Sequence, residues 1–421
     1  MSSTKNKKLK IVVSMLLINM LFSVSMSFAY WASLISGDNV QGAPVVTIGD
    51  WGVPIFTTTE FFDMATDSSS NPADRYYLAN DIDFTGFSWI YDAAIYNSTF
   101  KGELNGNNKI ISNLTINNPS LSYLHMGIFA RVDGARVSNL TLDNVQLETN
   151  LSGTSQRAGL FGGTAIGGTI VFENIVLNNC GVQGTSAGGV GGLLGQVRNS
   201  GTVVAISSIK VNNLKVFNQS SNVGGLVGRI NADASVVLSD IDFLGDVYSN
   251  IVTSAGSSNA GGLVGYVLSG GFLSIERAIV ESTFQNTLVT TSNYLGYSNR
   301  YLGGMIGRNS SVGSNVTITN SFFTGSLYTR LDIRNSDVGT VTGNDLETAV
   351  LSGVFYSYVA YRDTGGGITY TATGQTGQMS TVVSATSMPS HAWWDSAYTT
   401  LNAANPLWTQ EPVSGRVYLD L

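Results

Sequence analysis

Gly192-Leu193-Leu194-Gly195, followed by Ile209-Lys210-Val211-Asn212-Asn213, is the stretch on which the fold turns. Its second part alternates apolar and polar residues, the period-two pattern of a strand with one buried face. A helix of period 3.6 would not space Ile209 and Val211 this way. Asn213 then supplies a corner, because Asn tolerates a left-handed backbone better than most residues.

The stretch recurs in both directions. The glycine-bracketed apolar pair is found again as Gly127-Ile128-Phe129-Ala130, Gly159-Leu160-Phe161-Gly162, Gly225-Leu226-Val227-Gly228, Gly262-Leu263-Val264-Gly265 and Gly304-Met305-Ile306-Gly307. Counted from first glycine to first glycine, the spacings are 32, 33, 33, 37 and 42 residues. Self-similarity at such periods marks a stacked-repeat architecture. Aligning the copies predicts two inward columns, Leu140, Ile175, Ile209, Ile241, Ala278, Ser321 and Leu142, Leu177, Val211, Phe243, Val280, Phe323. It also predicts a turn column of Asn144, Asn179, Asn213, Gly245, Ser282 and Gly325, with Leu114 to Asn118 as an earlier copy.

From each first glycine to its turn residue the counts are 17, 20, 21, 20, 20 and 21, whereas from turn residue to next block they are 15, 13, 12, 17 and 22. One half of each repeat is therefore nearly fixed and the other varies. That is expected of a solenoid whose walls must stay in register while its loops leave along one edge. The predicted fold is all-β: a right-handed parallel β-solenoid (β-helix) of about seven to nine coils with N- and C-terminal caps.

Composition agrees. The 421 residues include 48 glycines and only 7 prolines, and 12% are charged, which suits strands joined by tight turns rather than disorder. A single cysteine excludes an internal disulfide framework. Lys5, Lys7, Lys8 and Lys10 precede an apolar run from Ile11 to Phe22, and Ser27-Phe28-Ala29 offers small residues for cleavage before Tyr30. Residues 1–29 thus read as a signal peptide, which predicts an extracellular or cell-surface protein that meets the membrane only through this segment if uncleaved. Without these residues, 17 basic side chains face 28 acidic ones, a poor balance for nucleic-acid binding.

The expected organisation is a linker at 30–49, an N-terminal cap with the first coils at 50–118, a six-repeat solenoid at 119–330, and C-terminal coils with an aromatic-rich cap at 331–421. The first cap should contain a short helix, Thr59 to Ala65, capped by Thr57 or Thr58. The second gathers Trp393, Trp394, Trp408 and Tyr418. Both covers are expected because exposed strand edges invite aggregation.

The repeated blocks resemble the bacterial surface proteins with Gly-Leu-x-Gly ("GLUG") repeats, some of which are adhesin-like. The flanks are similar too: Tyr77-Leu78-Ala79-Asn80-Asp81-Ile82-Asp83 and Phe100 to Asn107 before the repeats, and Asn405-Pro406-Leu407-Trp408 after them. The resemblance spans about residues 55–421. It implies a β-helix in a cell-surface setting, carries no catalytic residues and names no ligand.

Catalysis on a β-solenoid would need paired carboxylates, or an acid beside a base, on one wall. The candidate cluster is Asp240, Asp242 and Asp246, with Asp81 and Asp83 as a second pair. Both are read as structural: Asp240 and Asp242 point outward, Asp240 beside Arg277 and Asp242 beside Lys210, so cross-coil ion pairs account for them. Cys180 falls in an inward column with Val145 and Leu214 and reads as a small hydrophobe. His125 and His391 lie far apart, and no His-Glu-x-x-His zinc motif occurs. No catalytic residue, metal or cofactor is expected. The expectation is instead an adhesin-like binding module that recognises a glycan or protein through the variable loop edge, with Tyr294, Tyr297 and Arg300 as candidate ligand-binding residues. A structural surface-layer or fibre component, and a polysaccharide-active β-helix enzyme, are the alternatives.

Overall fold

A computed structural model of the chain describes residues 52–90, 98–118, 124–149, 156–184, 188–218, 222–249, 258–283, 300–310, 315–330, 338–339, 341–343, 349–363, 368–370, 391–403 and 406–421. The expected signal peptide and linker, residues 1–49, lie outside them.

The described residues form a parallel β-solenoid built from one long and two short sheets. One coil shows the plan. Gly189–Gly191 forms a strand of the first short sheet, the chain turns through Gly192-Leu193, Leu194–Val197 joins the second short sheet, and Val203–Asn218 joins the long sheet. Each strand pairs in parallel with its counterpart one coil on, at Asn222–Gly224, Val227–Ile230 and Ser235–Ser249. Complete coils begin at His125, Arg157, Gly189, Asn222, Ser258 and Arg300, six in all among the described residues. The expected seven to nine coils are thus corrected to six. At the N-terminal end, strands up to Thr115–Asn118 extend the long sheet, and only Thr99–Phe100 joins a short one. At the C-terminal end Val338–Gly339 and an Ile306–Thr342 bridge precede the long strand Ala349–Asp363. These are partial coils.

The two predicted inward columns form the interior. Leu140 pairs with Ile175, Ile175 with Ile209, Ile209 with Ile241, and Ile241 with Ala278, while Leu142, Leu177, Val211, Phe243, Val280 and Phe323 stack beside them. All are buried. Ser321 ends the first column without an orphaned hydroxyl, since its Oγ accepts from Ala278 N at 3.1 Å and donates to Thr319 O at 2.8 Å.

The turn column needs correction. Asn144, Asn179 and Asn213 have left-handed backbones (φ 54°, 51° and 60°), and Asn213 donates to Asn179 Oδ1 at 3.0 Å. In the next coil the corner is absorbed into a continuous strand. A register shift sets Gly245 against Leu214 rather than Asn213, and neither Gly245 nor Ser282 has a positive φ. The N-terminal copy is also displaced: Lys109 and Ile111 stand opposite Leu140 and Leu142, so Lys109 to Asn113 is the true counterpart, and Leu114 to Asn118 continues beyond it. A half-exposed lysine opposite Leu140 hid this from the alternation.

A second left-handed column crosses the long sheet one residue before the first inward column: Asn139, Asn174, Ser208, Asp240, Arg277, Asn320 and Gly353, with φ between 48° and 62°. Asn174 donates to Asn139 Oδ1 at 2.7 Å, and Asn139 to Asn105 Oδ1 at 3.2 Å. This ladder bends every long strand at one height, and at Ser208 and Arg277 it does so with residues that rarely adopt such a backbone.

Helix α1 (Thr58–Thr66) starts in a capping box: Thr57 Oγ1 accepts from Glu60 N, and Glu60 Oε2 accepts from Thr57 N. Its Phe61 packs edge-on to Phe84 at 5.8 Å and joins the interior core. Helix α2 (His391–Asn402) and the antiparallel pair Trp408–Gln410 with Val417–Leu419 lie on the outer wall of the long sheet, where the expectation was an end cover. The cause is an outward column that changes character along the solenoid: Lys210 and Asp242 are followed by Ile279, Phe322 and Phe355. Trp393 meets Phe322 edge-on at 5.4 Å, and Trp394, Leu401, Trp408 and Leu419 complete the buried cluster.

Candidate binding face

In sequence, the variable halves of the repeats fall between the end of a long strand and the start of the next first-sheet strand. The intervening segments 150–155, 185–187, 219–221, 250–257 and 284–299 fall outside the described residues, and Tyr294 and Tyr297 with them. Arg300 opens the strand Arg300–Gly303, with its backbone opposite Ser258.

Glycine keeps the space between the two short sheets narrow. A Cβ on Gly195 would sit 2.5 Å from Ala158 N and 2.8 Å from Gly189 O, and one on Gly228 would sit 2.4 Å from Val190 N. The strands of the two short sheets therefore approach backbone to backbone. The outer side chains of both sheets are brought onto one face as a result.

On that face the register lines up Arg131, Thr164, Gln196, Arg229, Tyr266 and Arg308 in the second short sheet. Across from them the first short sheet brings His125, Arg157, Asn222, Asn259 and Tyr301. The two columns are tied together. His125 Nδ1 and Thr164 Oγ1 are 2.7 Å apart, Arg157 Nε donates to Gln196 Oε1, and Gln196 Nε2 donates to Asn231 Oδ1 at 2.6 Å. The Arg308 guanidinium lies 4.6 Å from the Tyr301 ring centroid and 5.2 Å from that of Tyr266, so it is held between two aromatic faces.

This is a concentration of positive charge in an acidic chain. Burial and then the charges of Arg157, Arg131 and Arg198 hold the His125 imidazole down to about 3, so it is neutral at physiological pH. Burial also lowers the Arg229 pKa, with Tyr266 opposing and the Arg198 charge adding to the effect. Among the described residues no carboxylate lies within ion-pairing distance of Arg198, Arg229 or Arg308. The Nε atoms of Arg229 and Arg308 are buried without a hydrogen-bond acceptor. Sequence reading missed this face. Its signal was the residue four places after the first glycine in five of the six blocks, Arg131, Gln196, Arg229, Tyr266 and Arg308, with an extra glycine moving it to Thr164 in the Gly159 block.

The acidic residues resolve differently. Arg277 Nε and Nη2 bind Asp240 at 2.8 and 3.0 Å, the expected cross-coil pair. Asp242 does not use Lys210 in the way expected. It accepts from Arg416 Nη2 at 3.3 Å and from Leu419 N at 3.1 Å, and Lys210 Nζ lies 5.0 Å from the Tyr418 ring centroid. Trp408 Nε1 donates to Asp240 at 3.3 Å, and Arg416 Nε to Glu281 at 2.7 Å. These carboxylates point outward as expected, but the C-terminal segment buries them. Asp81 and Asp83 bind locally, Asp81 accepting from Ile110 N and Asp83 from Thr85 and Asn113. Cys180 is buried between Val145 and Leu214, and burial pushes its thiol up to about 12. Among the described residues no group of three or more His, Cys, Asp or Glu side chains could hold a metal ion.

No protein-family model and no curated protein sequence matches the chain. Among solved structures it is similar to "a putative immunoglobulin A1 protease from Bacteroides ovatus", at 16% identity and a TM-score of 0.47, over 87% of this chain and 92% of that one.

Proposed function

We propose that the chain is an exported, cell-surface or secreted binding module of the adhesin-like kind, which engages an extracellular glycan or protein through the loop rim of its solenoid. The observation that carries this reading is a face of half-buried arginines and tyrosines on the two short sheets, whose first strands directly follow the variable segments in sequence. Stacked walls hold that face rigid, and rigid Tyr and Arg side chains are effective binding anchors. The basic n-region and apolar run at residues 5–22 supply the export route, and the Gly-Leu-x-Gly resemblance points to the same setting. The reading assigns no catalytic step to the chain. Asp240 and Asp242, the carboxylates best placed for one, are 6% and 1% exposed beneath the C-terminal segment.

The test is binding of purified residues 30–421 to cultured cells and to immobilised extracellular matrix. Replacing 286–299 by a short Gly-Ser linker should abolish binding and leave the unfolding transition in place. Undiminished binding by that variant would contradict the reading.

A further inference from the structure

We propose that the face carrying Arg198, Arg229 and Arg308 is a track for a linear acidic polysaccharide, whose sugars bear carboxylate or sulfate groups, laid along the solenoid axis. The inference rests on the reading above and adds the chemistry of the ligand. Guanidinium groups form paired hydrogen bonds with carboxylate and sulfate oxygens, and a partly buried cation without a counterion gains most from such a partner. Arg198, Arg229 and Arg308 are each half-buried with no carboxylate within ion-pairing distance among the described residues, in a chain whose acids outnumber its bases.

The arrangement is linear. Arg229, Tyr266 and Arg308 occupy one register column in successive coils, and Arg198, which follows the strand Leu194–Val197 one coil earlier, is close enough for its charge to act on both Arg229 and His125. With strands about 4.8 Å apart, Arg198 to Arg308 spans three rungs, roughly 14 Å. A polymer that repeats its charge along its length meets this pattern; a compact anion would use only part of it. Between the cations stand groups suited to sugar hydroxyls and ring faces: the Tyr266 hydroxyl, 3.1 Å from Ser310 Oγ, and the rings of Tyr266 and Tyr301. Nucleic acid is disfavoured, since three cations on an acidic protein neutralise few phosphates.

The experiment is calorimetric titration of purified residues 30–421 with alginate as the uronate polymer, dextran sulfate as the sulfate polymer, neutral dextran, and oligothymidine. Binding to alginate, dextran sulfate or both is expected, weakening as salt is raised, and the polymer bound identifies the anion. Each of Arg198→Gln, Arg229→Gln and Arg308→Gln should weaken it about tenfold. The triple Arg→Lys variant should retain most of it, which separates loss of charge from loss of fold. Unchanged binding by a folded triple Gln variant, equal or tighter binding of oligothymidine, or binding to neither acidic polymer would overturn the proposal. If cells or matrix are bound but neither acidic polymer is, the ligand assignment alone fails. If nothing is bound, the binding-module reading fails with it.

Discussion

Arg277 and Asp240 form a two-pronged ion pair between adjacent coils, at 2.8 and 3.0 Å, and both hold a left-handed backbone (φ 54° and 53°). Elsewhere in this column asparagine performs the same bend at little cost. Here the bend uses an aspartate, which tolerates it, and an arginine, which resists it, and their mutual charge compensates. Both side chains are largely buried, so removing one partner leaves a charge in a poorly solvated site. Asp240→Ala should therefore cost about 3 kcal/mol in chemical unfolding. Asp240→Asn combined with Arg277→Asn restores the ladder chemistry and should recover most of the loss. A double variant no more stable than Asp240→Ala would contradict the account.

Glycine in the repeated block is demanded by space, not by backbone angle. A Cβ on Gly225 would fall 1.9 Å from Gly262 O and 2.5 Å from Phe243 Cζ, whereas Gly201, at φ 80°, has open space around its missing Cβ. Gly201→Ala should cost about 1 kcal/mol, the ordinary penalty for a left-handed backbone. Gly225→Ala should cost at least about 3 kcal/mol, because coil-to-coil spacing must open. Equal effects on the unfolding midpoint would show that the corner is looser than described.

The C-terminal clasp should depend on pH. Burial, with the neighbouring Asp242 adding and Arg416 opposing, raises the Glu281 carboxyl from 4.5 to about 7. Its folded pKa lies above its unfolded one, so this contribution to stability is complete below pH 4.5 and is lost as pH rises through about 7. His125 acts in the opposite sense. Its lowered pKa makes its contribution complete above pH 6.5 and lost as pH falls toward about 3. The diagnostic quantity is thus the difference between the wild type and Glu281→Gln. The variant should gain stability relative to wild type as pH rises from 5 to 8, with slower hydrogen exchange at Val417–Leu419. Parallel pH curves would rule out the buried Glu281 carboxyl as the source.

Helix α2 and the Trp408–Leu419 pair cover an apolar stripe and do not complete a coil. A chain ending at residue 390 should keep its β-rich circular dichroism, yet bind a hydrophobic dye and associate through the uncovered Ile279, Phe322 and Phe355. Loss of the solenoid spectrum would mean that the segment is needed to fold the coils.

Much of this architecture was legible in the sequence because burial leaves a strict record. Leu142, Leu177, Val211, Phe243, Val280 and Phe323 must all be apolar to share one interior column, and period two reveals them. The left-handed column was harder to see. Asn139, Asn174 and Asn320 announce it, but Ser208, Asp240 and Arg277 interrupt the composition while keeping the conformation. The wall-packed C-terminus followed from Ile279 and Phe322, apolar residues at outward positions whose partners lie far along the chain. The arginine face was obscured for a related reason. Arg198, Arg229 and Arg308 are unremarkable singly and become a site only when coils are stacked.

Stacking is what the whole account requires, and distances between spin labels measure it. In a Cys180→Ala background, labels would be placed on one outward register column, at Val171 paired with Thr317 and at Val171 paired with Val350. Four and five rungs at about 4.8 Å predict separations near 19 and 24 Å, so the second pair should lie about one rung farther apart than the first. Two separations that fail to differ by one rung, or that greatly exceed these lengths, would show that the coils do not lie in register.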